Sequence, residues 1–410
     1  MKNTDGIKIN IPKLVIQTPI TISITTDSFF WSLLIILAWL PCFAYIFNWP
    51  LLVSLGIYGT VGLFTIFFIG QVLRSIINRE KSTPFVTVVL FFLAITIIIA
   101  YWKRGSFVER ELRNYIYLLI IIEGFTLCYL SDIKSEYLHI LYRLPFLITI
   151  VMVLMAFRRE SYDLNSYRNA LYLGYQNPNI LSFVLVMMMV FQGLGYLDEK
   201  EQKYVVGLLL DTVLIVLTHA RSSLIAALMI LIFLFGIKKQ IKIYRFAIIL
   251  ITSIPLFVVI LLPYLTRVVT ISLYGKPIDS GRLLIWNRLF SLYSSNRLLF
   301  LFGKGSYVAN YVELTNGHNA YVQFISNFGV PSFIIYFLCL IALGFYAIRY
   351  NCDQYSTFAI MSLIPIFLNN SFETHLTDAI IGITLLWIAI YWIVISRGRQ
   401  QERSTNVNNG

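Results

Sequence analysis

Four cations and one imidazole, set in a polar stretch between apolar runs, are the residues of this chain best equipped for chemistry. Arg282, Arg288, Arg297, Lys304 and His318 all fall between Thr266 and Asn319. Arginine binds phosphate oxygens through a planar, permanently charged fork. A neutral imidazole takes a proton from a hydroxyl near pH 7. The set fits an anionic, phosphate-bearing substrate and a hydroxyl to be activated.

Around the first two arginines the chain reads Ser280-Gly281-Arg282-Leu283-Leu284-Ile285-Trp286-Asn287-Arg288-Leu289-Phe290. Leu283, Trp286 and Phe290 recur at helical spacing, which predicts a short amphipathic helix at a membrane interface with Trp286 at headgroup depth. On such a helix Arg282 and Arg288 point about 120° from each other. They can approach a diphosphate from two directions, and they serve equally well as anchors to anionic lipid. Downstream, Leu301-Phe302-Gly303-Lys304-Gly305 is a glycine-bracketed turn without the spacing of a nucleotide-phosphate loop. Asn316-Gly317-His318-Asn319-Ala320-Tyr321 then leads into a helix. The dipole at a helix N-terminus biases a histidine towards its neutral form. For a lone histidine the plainer role, a polar cap, is the commoner one.

The elements that must position these residues are membrane helices. The chain has 410 residues, is 58% hydrophobic and 13% charged, and has a mean hydropathy of +0.76. A water-soluble protein of this size needs far more polar surface. Apolar runs long enough to cross a hydrocarbon layer of about 30 Å recur throughout. We place spans near 28–47, 51–73, 84–102, 114–131, 137–157, 179–197, 204–219, 222–237, 245–265, 329–349, 356–369 and 377–396. The expected fold is therefore all-α, a polytopic integral membrane protein with about twelve transmembrane helices.

The expected organisation is a cytoplasmic N-terminal segment 1–27, spans one to nine over 28–265 and an external loop over 266–328 carrying short amphipathic helices. Spans ten to twelve follow over 329–396, then a cytoplasmic, disordered polar tail over 397–410. No cleavable signal precedes the first span, which is expected to act as an uncleaved anchor. Orientation follows from basic connectors: Lys2, Lys8 and Lys13; Arg74, Arg79 and Lys81; Lys238, Lys239, Lys242 and Arg245; Arg397, Arg399 and Arg403. All fall on one side, which puts both termini in the cytoplasm. Lys103, Arg104, Arg110 and Arg113 then lie outside, against the rule. The net charge of +12 is spread over these connectors and forms no basic domain, so nucleic acid is not an expected partner; the lipid bilayer is. Cys42, Cys128, Cys339 and Cys352 show no disulfide or zinc spacing. No metal and no cofactor are expected. Glu123, Arg143 and Asp211 fall inside predicted spans, where pairing between helices is at least as good a reading as function. Glu373 and His375 sit in a short outer loop.

Five short motifs occur in an order that resembles the O-antigen ligase and polymerase family. Gly174-Tyr175-Gln176-Asn177-Pro178-Asn179 opens a span, with Asn177 as N-cap and Pro178 at the first helical position. Arg221-Ser222-Ser223 begins another after an outside turn. The Arg282…Trp286 segment, Phe302-Gly303-Lys304-Gly305 and His318-Asn319…Gly329-Val330-Pro331-Ser332 follow. Together they cover roughly residues 174–335. His219-Ala220 stands before Arg221 where the family more often has serine, and Ser332 is a second departure.

The resemblance implies a bacterial inner-membrane glycosyltransferase of GT-C-like architecture using undecaprenyl-diphosphate-linked oligosaccharide, with a flippase and a chain-length regulator as further partners. It implies Arg221, Arg282 and Arg288 on the departing diphosphate and His318 as base towards the acceptor hydroxyl. Asn319, Trp286, Lys304, Asn177 and Asn179 would line the substrate. Direct displacement would invert the anomeric carbon without a metal. A polymerase making O-antigen, capsule or exopolysaccharide is the first expectation, and a ligase moving finished glycan to another acceptor is the second. A flippase or other transporter is the reading from another class. It is disfavoured because the cations gather outside and the two halves do not repeat.

Overall fold

The computed structural model describes residues 7–10, 21–24, 26–78, 109–133, 137–163, 169–175, 177–236, 250, 253–254, 257, 272–273, 276–277, 285–286, 291, 295, 297–303, 319–350, 353–371 and 381–408. The predicted span 84–102 and most of 245–265 lie outside them, as do His318, Arg282, Arg288, Lys304, Glu373 and His375.

The described chain is overwhelmingly helical. Helices α1 (Thr26–Ile46) and α2 (Pro50–Ile77) form an antiparallel pair, with Pro50 pre-setting the first turn of α2. Helices α3 (Glu109–Leu130), α4 (Leu138–Ala156), α5 (Pro178–Glu199), α6 (Gln202–Leu217) and α7 (Arg221–Gly236) follow. After them come the short α8 (Arg297–Phe302) and α9 (Ala320–Phe328), then α10 (Val330–Arg349), α11 (Gln354–Met361), α12 (Leu363–Asn370) and α13 (Ile381–Asn408). Three two-stranded antiparallel ribbons complete the described structure: Ile7–Asn10 with Thr21–Ile24, Tyr162–Asp163 with Ala170–Leu171, and Ser272–Leu273 with Lys276–Pro277.

Among the described residues, four helices, α2, α4, α5 and α10, are long and apolar enough to cross a membrane. Helix α5 is the hub: 83% of its apolar window is buried, against 22% for α2, and it packs on α4, α6, α7 and α11. Large apolar side chains point outward from the peripheral helices, among them Leu51 and Ile66 of α2, Leu154 of α4, Val213 of α6 and Leu338 of α10. In water such faces are a liability, whereas hydrocarbon solvates them, as in an all-α membrane protein.

Two expectations change. The span 356–369 is two helices in succession, α11 and α12. Pro365 carries no N–H for the carbonyl of Met361, so the ladder is interrupted near Ser362. The tail after Arg397, expected to be disordered, continues α13 as helix to Asn408. Polar contacts hold it there: Arg399 pairs with Asp132 at 2.8 Å, Arg403 with the same carboxylate at 3.1 Å, and Gln400 Nε2 donates to Ile133 O at 3.1 Å.

Those contacts belong to an ion-pair lattice at one end of the bundle. Arg397 pairs with Asp198 at 3.1 Å and Asp353 at 3.0 Å and lies over the Tyr355 ring. Glu199 takes His139 at 2.6 Å, Arg143 at 3.2 Å and Lys203 at 3.5 Å. Arg143 therefore has a structural partner, and so does Glu123, which accepts hydrogen bonds from Thr65.

Candidate functional site

The first turn of α5 begins at Asn177, whose φ of −150° and ψ of 135° let its side chain accept from Asn179 N at 2.8 Å; Pro178 takes the first helical position, as expected from the sequence. One turn on, Ser182 donates to Asn179 O at 2.8 Å and stands 2.7 Å from the Ser223 hydroxyl of α7. Asn369, near the end of α12, donates through Nδ2 to Ser223 Oγ at 2.9 Å. A continuous line of buried polar groups thus joins the first turns of α5 and α7 to the last turn of α12. Asn369 Oδ1 has no hydrogen-bond partner among the described residues, which leaves a buried acceptor beside that line.

Arg221 is the first residue of α7, two positions before Ser223, and its side chain is exposed. The turn that delivers it is tight. His219 sits in the left-handed region at φ 57°, and Thr218 Oγ1 accepts the amide of Ala220 at 3.3 Å. His219 is exposed at this turn beside Arg221 in sequence.

Asn319 is the N-cap of α9 and is fully buried. Its Oδ1 accepts from Tyr321 N at 2.9 Å and Val322 N at 3.1 Å, while Nδ2 donates to Ser371 O at 2.9 Å. Tyr321 OH donates to Phe367 O at 2.8 Å. The carbonyl of Ser371, just past the end of α12, thereby gains a donor from α9, and Phe367 O, already bonded by Ser371 N, gains another. The Asn319 amide is thus engaged in holding α9 against α12. Replacing Asn319 with alanine is expected to cost about 1–3 kcal/mol, because it uncaps α9 and strips a buried carbonyl of its donor. Serine, which still caps but cannot reach Ser371, should lose less. Thermal unfolding of the two variants in detergent checks this; an alanine variant as stable as the parent contradicts it.

Gly303 has φ 62° and lies so close to α9 that a Cβ would come within 2.6 Å of the backbone at Asn327 and Phe328, so the Phe302-Gly303 motif docks its backbone directly on that helix. Trp286, expected on an interfacial helix at headgroup depth, is 2% exposed and belongs to the main apolar core with Ile285.

Asn177, Asn179, Arg221 and Asn319 thus come to one end of the bundle, opposite the ion-pair lattice across the length of α5, about 33 Å by helical rise. The first turns of α5, α7 and α9 carry no acidic residue, so their amide dipoles add positive potential to the Arg221 charge. Among the described residues no group of three or more His, Cys, Asp or Glu is placed to hold a metal ion. Ser182, Asn369 and Ser371 are not candidates in the sequence, and Ser223 stands there only within the Arg221-Ser222-Ser223 motif. The signal for Asn369 and Ser371 was present as Asn369-Asn370-Ser371, a polar run closing an apolar segment. No protein-family model, curated protein or solved structure matches this chain.

Proposed function

We propose that this chain is a membrane glycosyltransferase that polymerises undecaprenyl-diphosphate-linked oligosaccharide units into O-antigen, capsular or exopolysaccharide. The observation that carries the reading is the hydrogen-bonded end where α5, α7 and α9 begin, with Arg221 exposed there and no acid in any of the three first turns. A multiply charged anion is the ligand that such an end favours. About twelve spans, with the lattice of Arg397, Arg399 and Arg403 in the cytoplasm by the positive-inside rule, would turn this end and the 266–328 segment outward. Lipid-diphosphate glycans are the anions met at that surface.

In this reading Arg221, Arg282 and Arg288 stabilise charge on the departing diphosphate. His318 accepts the proton of the acceptor hydroxyl as its oxygen attacks the anomeric carbon. The new glycosidic C–O bond forms as the C–O bond to phosphate breaks, and that carbon inverts. A flippase that supplies units and a chain-length regulator are the partners that the resemblance implies for such a reaction.

The test is reconstitution in liposomes with a lipid-diphosphate repeat unit and no added metal. A ladder of longer lipid-linked glycans is the expected result. Transfer only to a separate acceptor would make the protein a ligase. Movement of intact substrate between leaflets with no new bond would make it a flippase.

A further inference from the structure

Asp211 lies on α6 with no exposure to solvent, and so do its two partners, Thr149 of α4 and Gln192 of α5. Four contacts join the group. Gln192 Nε2 stands 2.8 Å from Asp211 Oδ2 and 3.0 Å from Thr149 Oγ1. Thr149 Oγ1 stands 2.8 Å from Asp211 Oδ1 and 3.0 Å from Pro145 O. The protons available to these contacts can be counted. The Gln192 amide nitrogen brings two and the Thr149 hydroxyl one. Pro145 O, Asp211 and Thr149 as acceptors bring none, so a charged carboxylate leaves the set one proton short.

The Gln192 amide oxygen does not help. It has no partner among the described residues and rests against Gly207, where a Cβ would come within 1.8 Å of it. Nor does a cation. The ionisable residues on the elements packed around Asp211 are His139, Tyr142 and Arg143 of α4, Tyr196, Asp198 and Glu199 of α5, Lys203 and Tyr204 of α6, and Arg221 of α7. His139, Arg143, Lys203 and Tyr204 all bond to Glu199 at the lattice end, Asp198 takes Arg397, and Arg221 opens α7 at the other end. A buried carboxylate with two neutral donors and no counter-charge is among the most expensive arrangements a protein interior offers.

We propose that Asp211 is a proton-binding site, holding its ligand as a neutral carboxylic acid that clasps α4, α5 and α6 together. The Oδ1 proton donates to Thr149 Oγ1, Thr149 donates to Pro145 O, and Gln192 donates to Asp211 Oδ2 and to Thr149. All four contacts then carry a proton, and no charge is buried. Because α6 runs directly into the His219 turn and Arg221, the clasp also sets the height of that arginine at its end of the bundle. The assignment does not depend on the proposed transfer reaction.

Infrared spectra of the full-length protein in detergent at neutral pH, compared with Asp211→Asn, give the test. The expected difference is loss of a protonated-carboxyl carbonyl band, with no loss of carboxylate bands and an unchanged melting temperature. Loss of carboxylate bands would overturn the proposal. Should Asp211→Asn fail to fold, Thr149→Val decides: removing the proton's acceptor should move the acid band to higher frequency, and a band that stays put overturns the assignment. Sodium chloride in place of potassium chloride should leave the band alone. Its disappearance would mean that a metal cation, not a proton, occupies the site.

Discussion

Replacing Arg221 with alanine is expected to lower glycan elongation by roughly two to three orders of magnitude, the loss that follows removal of one preorganised stabiliser of transition-state charge. Arg221→Lys should recover part of the rate, because the charge remains while the bidentate fork is gone. The location makes the effect specific. Arg221 is exposed at the first position of α7, and the start of that helix is held without it, Ser223 bonding Ser182 and Asn369. The alanine variant should therefore melt with the parent protein. The readout is the length distribution of product in liposomes alongside a melting curve. Normal elongation by a folded alanine variant would remove Arg221 from the site.

His318→Ala is expected to cost about two to four orders of magnitude in transfer, the usual contribution of a positioned base. The loss should be steepest above the pH where a histidine is ordinarily neutral, near about 6.5, since only the neutral ring accepts a proton. The Asn319 variants separate base chemistry from cap structure. Asn319→Ser should weaken folding with a modest loss of rate, because it is the neighbour and not the imidazole that caps α9. A His318→Ala protein that still builds full-length polymer ends the base assignment.

The helices were legible in the chain where local chemistry specifies them. Asn177-Pro178 announces the start of α5 because capping and a fixed φ act within one turn. The runs that became α2, α4 and α10 are predominantly apolar over a membrane-spanning length, which specifies a helix. The interruption between α11 and α12 is legible at Pro365, which withholds an N–H from a run whose hydrophobicity alone suggests one span. The helical tail was not readable from composition. Residues 397–408 are polar, and their helix depends on Asp132, Asp198, Asp353 and Ile133, which lie far away in sequence.

By itself the sequence determined that this is a helical membrane protein with arginines and an imidazole in the polar stretch between its apolar runs. That much follows from transfer free energies, which act residue by residue. The tertiary structure alone decided which hydroxyls and amides meet. Ser182, Ser223 and Asn369 look alike in the chain whether they face lipid, water or each other, and so do Thr149, Gln192 and Asp211. A buried polar group must find a partner in space, and the partner that packing brings to it is not encoded by its sequence neighbours.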